Sequence, residues 1–78
     1  MTHEAHDDNL IRMANQIGIF FESMSDQKEA LAGIAQHLKR FWDPRMRRDF
    51  MARVDGPESQ HIREIVLRAV REHRDMLT

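Results

Sequence analysis

The sequence has no cysteine and no tyrosine among its 78 residues, and only three glycines and two prolines. Without cysteine the chain has no disulfide, no thiolate ligand for a metal and no thiol nucleophile. A domain of this length buries a smaller share of its surface than a larger one, so we expect its core to be marginal. Good helix packing or a partner chain must then supply the reinforcement that disulfides give other small domains. The composition favours a subunit or adaptor over a freestanding enzyme.

Long apolar runs are missing as well. No run approaches the roughly 20 residues that span a bilayer, and the first nine residues, MTHEAHDDN, are polar and acidic, unlike a secretory signal. We therefore expect a cytoplasmic protein with no membrane partner. The three glycines are isolated, so there is no phosphate-binding loop, and HEAH at 3–6 lacks the i, i+4 histidine spacing of a zinc-binding helix. We predict no catalytic, cofactor-binding or metal site in this chain.

The middle of the chain is basic, although the formal net charge is −1. Residues 39–53 carry six bases and two acids, whereas residues 1–38 carry two bases and six acids. Such a stretch forms a solvated face, a contact with a protein partner or a nucleic-acid-binding surface. The overall charge gives no general attraction to nucleic acid, so we predict no nucleic-acid partner. A small helical nucleic-acid-binding module, with the third helix as reader, stays as an alternative.

Helical periodicity dominates the sequence and predicts an all-α fold. We expect residues 1–7 to form a flexible tail and residues 8–78 a single helical domain. A first helix, capped by Asp7 or Asp8, places one apolar stripe at 3–4 spacing: Leu10, Met13, Ala14, Ile17, Phe20, Phe21 and Met24. Asp26 and Glu29 form a capping arrangement for a second helix, whose stripe is Leu31, Ile34, Ala35, Leu38, Phe41 and Trp42.

The Asp43-Pro44 pair predicts a sharp corner. A residue before proline is disfavoured in a helix, so the second helix should end near Trp42. Asp43 suits the N-cap and Pro44 the first position of a short third helix that carries Met46, Phe50 and Val54. DGP at 55–57 ends that helix, and a fourth, amphipathic helix should run from about 58 to 76. The predicted architecture is a small helical bundle: an αα-hairpin, a short helix and a C-terminal amphipathic helix.

Part of the first helix does not fit a simple solvated face. Ile11 and Ile19 fall off the main stripe, with Asn15 between them and Gly18 nearby. These residues form either a second contact face or one side of a helix wedged among the others. A glycine inside a helix costs about 1 kcal/mol relative to alanine. At Gly18 and Gly33 it reflects either a close approach by a neighbour or chance.

Three segments together resemble a known family: MANQI at 13–17, the phenylalanine pair at 20–21, and GIAQHLKRFWDPRMR at 33–47. They are similar to the delta subunit of the soluble, NAD-dependent formate dehydrogenases. That family has the pattern M-A-N-Q-I, a pair of phenylalanines, and an A-x-H-x-x-x-F-W-D-P-R-M-R run. The resemblance covers about residues 9–54. Beyond residue 55 only a generic amphipathic helix is similar.

The resemblance implies a non-catalytic accessory subunit that supports assembly, stability or activity of a formate dehydrogenase complex. In such complexes formate is oxidised to carbon dioxide at a pterin-bound molybdenum or tungsten, and electrons pass through iron–sulfur clusters and FMN to NAD. This chemistry lies in the larger subunits, which are the implied partners. The absence of cysteine from this chain agrees, because iron–sulfur clusters are held mainly by cysteine. A chaperone for the pterin-metal cofactor is a further alternative.

The turn at Asp43-Pro44 and the arginines at 45, 47 and 48, which we call the basic corner, are the predicted contact with the partner. We predict contacts from Trp42, Arg45, Arg47 and Arg48, with Asn15 and Ile19 as a second group. The arginine guanidinium is a rigid, weakly hydrated donor that suits carboxylates and protein interfaces. Trp42 also continues the core stripe, so replacing it with alanine would remove packing along with any contact.

Overall fold

The computed structural model of the protein describes residues 2–78, with side chains described from Asn9 onward. The regular structure of this part of the chain is helical throughout, which confirms the predicted all-α fold. The elements are α1 (Thr2–Glu22), α2 (Gln27–Phe41), α3 (Pro44–Val54), a 3₁₀ helix (Pro57–His61), α4 (Glu64–Glu72) and α5 (Arg74–Leu77).

The first two helices form the predicted αα-hairpin. Helices α1 and α2 pack against each other, joined by residues 23–26. The start predicted for the first helix, at Asp7 or Asp8, is wrong, because α1 begins at Thr2. The side chains of Asp7 and Asp8 lie outside the described residues, and the flexibility predicted for residues 1–7 stays a prediction.

The helix caps of α2 and α3 lie where the sequence placed them. The Asp26 carboxylate accepts a hydrogen bond from the Glu29 amide at 3.2 Å, which caps α2. Helix α2 ends at Phe41. Helix α3 has Pro44 in its first turn and ends at Val54. Each side-chain cap satisfies a backbone amide that has no partner inside its own helix.

The single C-terminal helix predicted over 58–76 is wrong. The chain forms a 3₁₀ turn, adopts extended backbone angles at Ile62 and Arg63, and only then enters α4. The extended step puts Ile62 into the core. A second interruption at His73 separates α4 from α5 and lets Leu77 become buried. Burial of Ile62 and Leu77 therefore accompanies the two breaks in the helix.

The core lies between α2, α3 and α4, with α1 packed along one side. Its fully buried large side chains are Phe50, Ile34, Leu38, Val54, Val66 and Val70. Helix α1 contacts both α2 and α4, and Ile11, one of the off-stripe residues, is buried. A Cβ atom at Gly18 would lie only 2.6 Å from Cγ2 of Val66. At Ile11 and Gly18, therefore, α1 is wedged among other helices.

Candidate functional site

Two aromatic side chains on the hairpin face solvent. Phe20 is 70% exposed and Phe41 is 68% exposed. The sequence interpretation put both on core stripes, and that part of the prediction is wrong. Each belongs to an aromatic doublet. Phe20 and Phe21 are consecutive residues of α1, which point about 100° apart, whereas Trp42 follows the end of α2 with extended backbone angles. One member of each doublet packs inward and the other does not.

The packing around Gly33 explains the position of Phe20. A Cβ atom at Gly33 would lie 2.5 Å from Cε1 of Phe21, so the missing side chain makes room for that ring against α2. Phe20 packs edge-on against Phe21, with ring centroids 5.1 Å apart and an interplanar angle of 89°. Phe21 fills the space between the helices, and Phe20 projects beyond it.

An open groove, the α1–α2 groove, runs between the two helices of the hairpin. It has a volume of about 470 Å³ and is lined by Met13, Gln16, Ile17, Phe20, Phe21, His37 and Trp42. At its edge the Phe41 ring packs 4.8 Å from the imidazole of His37. The guanidinium carbon of Arg40 lies 5.9 Å from the centroid of the Phe41 ring, within the range of a cation–π contact. The groove is apolar with a cation beside one end.

The corner at 41–47 is held in place by a helix cap and by the packing of Trp42. The Asp43 carboxylate accepts a hydrogen bond from the Met46 amide at 2.9 Å, and Pro44 follows it at the start of α3. Trp42 is only 5% exposed and packs edge-on against Phe50, with ring centroids 5.5 Å apart. What is exposed of Trp42 lines the α1–α2 groove, and the partner contact predicted for this residue stays a prediction. Trp42 also closes α2 onto the core and forms the floor of the groove.

The three arginines of the corner divide into two kinds. Arg47 is half-buried and donates hydrogen bonds to the carbonyl oxygens of Trp42 at 2.6 Å and Lys39 at 3.2 Å, where α2 ends. Its Nε atom also lies 3.4 Å from the carbonyl oxygen of Leu77. These bonds satisfy helix-end carbonyls that lack partners within α2. Arg47 thus holds the corner together, while Arg45 and Arg48 are exposed.

The second predicted group of contacts also divides. The Asn15 amide donates to the carbonyl oxygen of His61 at 3.0 Å and accepts from the Arg63 amide at 2.8 Å. This pair of bonds, which we name the Asn15 clamp, caps the start of α4 from α1. Both polar functions of Asn15 are therefore used within the chain. Ile19 is 54% exposed and lines a shallow surface near His61 and Arg63.

Two bidentate ion pairs fix segments near the helix ends. Arg63 donates to both carboxylate oxygens of Glu22, at 3.0 and 2.8 Å, and these hydrogen bonds lower the pKa of Glu22. Arg74 donates likewise to Asp55, at 3.2 and 2.7 Å, and lowers its pKa. Both carboxylates are at the surface, so screening by solvent and salt weakens these attractions. They tie α1 to α4 and the end of α3 to α5.

The described side chains, from Asn9 onward, include no group of three or more histidine, aspartate and glutamate residues placed to hold a metal ion. The histidines of HEAH, at 3 and 6, lie outside them. Within residues 2–78, no helix has both the length and the hydropathy to cross a bilayer. A candidate functional surface that the described residues do form is the α1–α2 groove, with its two exposed phenylalanines and the basic residues beside them.

A comparison with protein families identifies the chain. The family model of the NADH-dependent formate dehydrogenase delta subunit, FdsD, matches residues 9–70. The match includes all the segments on which the resemblance was based and extends beyond them into α4. The curated proteins and the solved structures gave no match. Because the family match spans most of the 78 residues, this chain belongs to the delta-subunit family of NADH-dependent formate dehydrogenases.

Proposed function

We propose that this chain is a non-catalytic accessory subunit, bound in the cytoplasm to the larger subunits of a formate dehydrogenase. It supports assembly, stability or activity of the complex through protein–protein contacts. The proposed cofactors of those partners are pterin-bound molybdenum or tungsten, iron–sulfur clusters and FMN, with NAD as substrate. Membership of the delta-subunit family supports larger partners, because a delta subunit is by definition part of a complex.

The observation that carries this proposal is the exposure of Phe20 and Phe41 beside one apolar groove. Clustered exposed apolar side chains on a small domain are typical of a protein-binding surface. Phenylalanine, methionine and arginine are also the residues enriched at protein interfaces. Arg45 and Arg48 remain as proposed contacts from the basic corner, and Ile19 as a proposed contact from α1, since all three are exposed.

The nucleic-acid alternative has less support, because Arg47 of the proposed reader helix bonds to the chain's own carbonyls. Arg45 and Arg48 are then the exposed arginines at the start of α3. Binding to nucleic acid strengthens with the number of phosphates that the protein neutralises. A titration of fluorescent DNA and RNA at low salt checks this point, and we expect no affinity that weakens on Arg48→Ala.

Purification from the native host tests the proposal. We expect a tagged chain to elute through size exclusion with a formate dehydrogenase in fixed stoichiometry. Deletion of the gene should lower the amount or the NAD-linked activity of that enzyme, and the tagged chain should restore it. If the tagged chain elutes alone, and the deletion leaves formate dehydrogenase amount and activity unchanged, the proposed function is wrong.

A variant pair separates the basic corner from general damage. Arg45→Ala and Arg48→Ala remove exposed charges, so both should fold normally and lower recovery of the enzyme with the tagged chain. Arg68→Ala removes an exposed arginine from α4 and serves as the matched control. Equal recovery with all three variants would remove the basic corner from the interface. The family-based role would still rest on recovery with the unmodified chain.

A further inference from the structure

The α1–α2 groove is long enough to bind two turns of one helix. Met13 and Phe20 line it seven positions apart on α1, which is roughly 10 Å along the axis at about 1.5 Å per residue. That length matches two turns of a second helix presenting apolar side chains at positions i, i+3 or i+4, and i+7. A peptide bound as an added β-strand would instead need unpaired main-chain groups to bond with, whereas the middles of α1 and α2 use theirs within the helices.

The charge around the groove favours an occupant with a carboxylate at one end. None of the seven lining residues is acidic, and Arg40 lies beside the Phe41 ring at the C-terminal end of α2. A helix C-terminus is partly negative and would otherwise offset such a cation. Here the carbonyl oxygens of Lys39 and Trp42 accept hydrogen bonds from Arg47. Arg40 is exposed beside the Phe41 ring, so a carboxylate of a partner can reach its charge.

A second copy of this chain fits the groove less well than a larger partner does. Phe20 and Phe41 together expose roughly 300 Å², given about 200 Å² for a fully exposed phenylalanine. A stable interface buries about 800 Å² on each partner. Pairing two copies groove to groove would also bring two Arg40 side chains toward one apolar contact. A larger subunit can add contacts around the groove without repeating its charge.

We propose that the α1–α2 groove binds an amphipathic helix of a larger formate dehydrogenase subunit. Apolar side chains of that helix cover Phe20 and Phe41, and an aspartate or glutamate near one end faces Arg40. This inference rests on the proposed function and adds the chemistry of the segment that is recognised.

Photo-crosslinking within the assembled complex tests the occupant directly. We would place p-benzoylphenylalanine at position 20 or 41, with position 68 as a control on α4, and irradiate the complex purified from cells. Crosslinks from 20 and 41 should map to one segment of a larger subunit, at residues three, four or seven apart, with an acidic residue near those joined to 41. Crosslinks that join two copies of this chain, scatter over several segments or fall on a strand would overturn the inference.

Competition inside the cell measures the contribution of each side chain. A tagged variant and the untagged wild type would be expressed together. The measured quotient is the ratio of variant to wild type in the purified enzyme, divided by the same ratio in the cell extract. We expect Phe20→Ala and Phe41→Ala each to lower this quotient at least tenfold. Met24→Ala, which shortens an exposed apolar side chain outside the groove, should change it less than twofold.

Charge reversal tests the proposed carboxylate. Arg40→Glu should lower the quotient about tenfold at low salt, and by less when the complex is re-equilibrated at high salt, because salt screens exposed charges. The control is Arg68→Glu on α4, with no expected effect. The groove is not the binding site if the wild-type chain co-purifies with the enzyme and the quotients of the Phe20, Phe41 and Arg40 variants all stay within twofold of one. The proposed function would then survive, whereas both proposals fail if the wild-type chain elutes alone and deletion of its gene leaves the enzyme's amount and activity unchanged.

Discussion

Arg47→Ala should destabilise the folded chain, although Arg47 lies in a stretch whose charges suggest a binding surface. The side chain bonds to the carbonyl oxygens of Trp42 and Lys39 at 2.6 and 3.2 Å. A hydrogen bond from a charged group contributes about 1.5–3 kcal/mol, and the third contact, 3.4 Å from the carbonyl oxygen of Leu77, adds little. Because Arg47 is only half-buried, we take the low end for two bonds and expect a loss of about 2–3 kcal/mol.

That loss is large for a chain of this size. At about 0.05–0.15 kcal/mol per residue, 78 residues have a free energy of unfolding of about 4–12 kcal/mol. Urea unfolding followed by far-ultraviolet circular dichroism measures the change. With a slope near 1 kcal/mol per molar, the midpoint should fall by about 2–3 M.

Two neighbouring substitutions sharpen the Arg47 test. Arg48→Ala removes an equal charge from an exposed position of the same helix, so its free energy of unfolding should stay within about 0.5 kcal/mol of wild type. Arg47→Lys keeps the charge without the planar donor fork, so it should recover only part of the loss. If Arg47→Ala unfolds within 0.5 kcal/mol of wild type, or Arg48→Ala loses as much, the bonds at the corner do not have the stabilising role argued for them.

Two other changes test the packing and the surface charge. Gly18→Ala would gain about 1 kcal/mol from helix propensity alone, but the new Cβ would meet Cγ2 of the fully buried Val66 at 2.6 Å; we expect a net loss of about 1–2 kcal/mol in urea unfolding, and a gain would contradict the close approach. The pKa of Glu22 is lowered below 4.5 by hydrogen bonds from Arg63, so its contribution to stability is full above the unfolded pKa and is lost as pH falls through the lower, folded pKa. Between about pH 5 and pH 3, wild type should therefore lose more stability than Glu22→Gln, and equal losses would refute the pairing.

The sequence predicted best those features that depend on a few neighbouring residues. At Asp26 and at Asp43, the side-chain oxygen accepts a hydrogen bond from the backbone amide three residues later. Pro44 fixes the start of α3 for an equally local reason. Such signals are complete within one turn, so no knowledge of the remaining fold is needed to interpret them.

The wrong predictions concern residues whose environment comes from distant parts of the chain. Asn15 accepts from the amide of Arg63, 48 residues away, so nothing local announces the break before α4. Phe20 and Phe41 both continue a 3–4 pattern, which predicts that they are buried, yet both are exposed. An apolar stripe can be wider than the part of the helix surface that neighbouring helices cover. Sequence alone does not separate the doublets Phe20-Phe21 and Phe41-Trp42 from adjacent pairs that are both buried, such as Ile65-Val66.

The Asn15 clamp also has a consequence for the order in which the fold can be completed during synthesis. Its hydrogen bonds join Asn15 to His61, 46 positions later, and to Arg63, 48 positions later. Helix α1 therefore lacks these partners until residue 63 has left the ribosome. At about 5–20 residues per second, that is a delay of a few seconds after α1 itself has emerged. Every residue that lines the groove lies between Met13 and Trp42. The nascent chain therefore holds all the parts of its proposed docking surface while the clamp that secures α1 to α4 is still unmade.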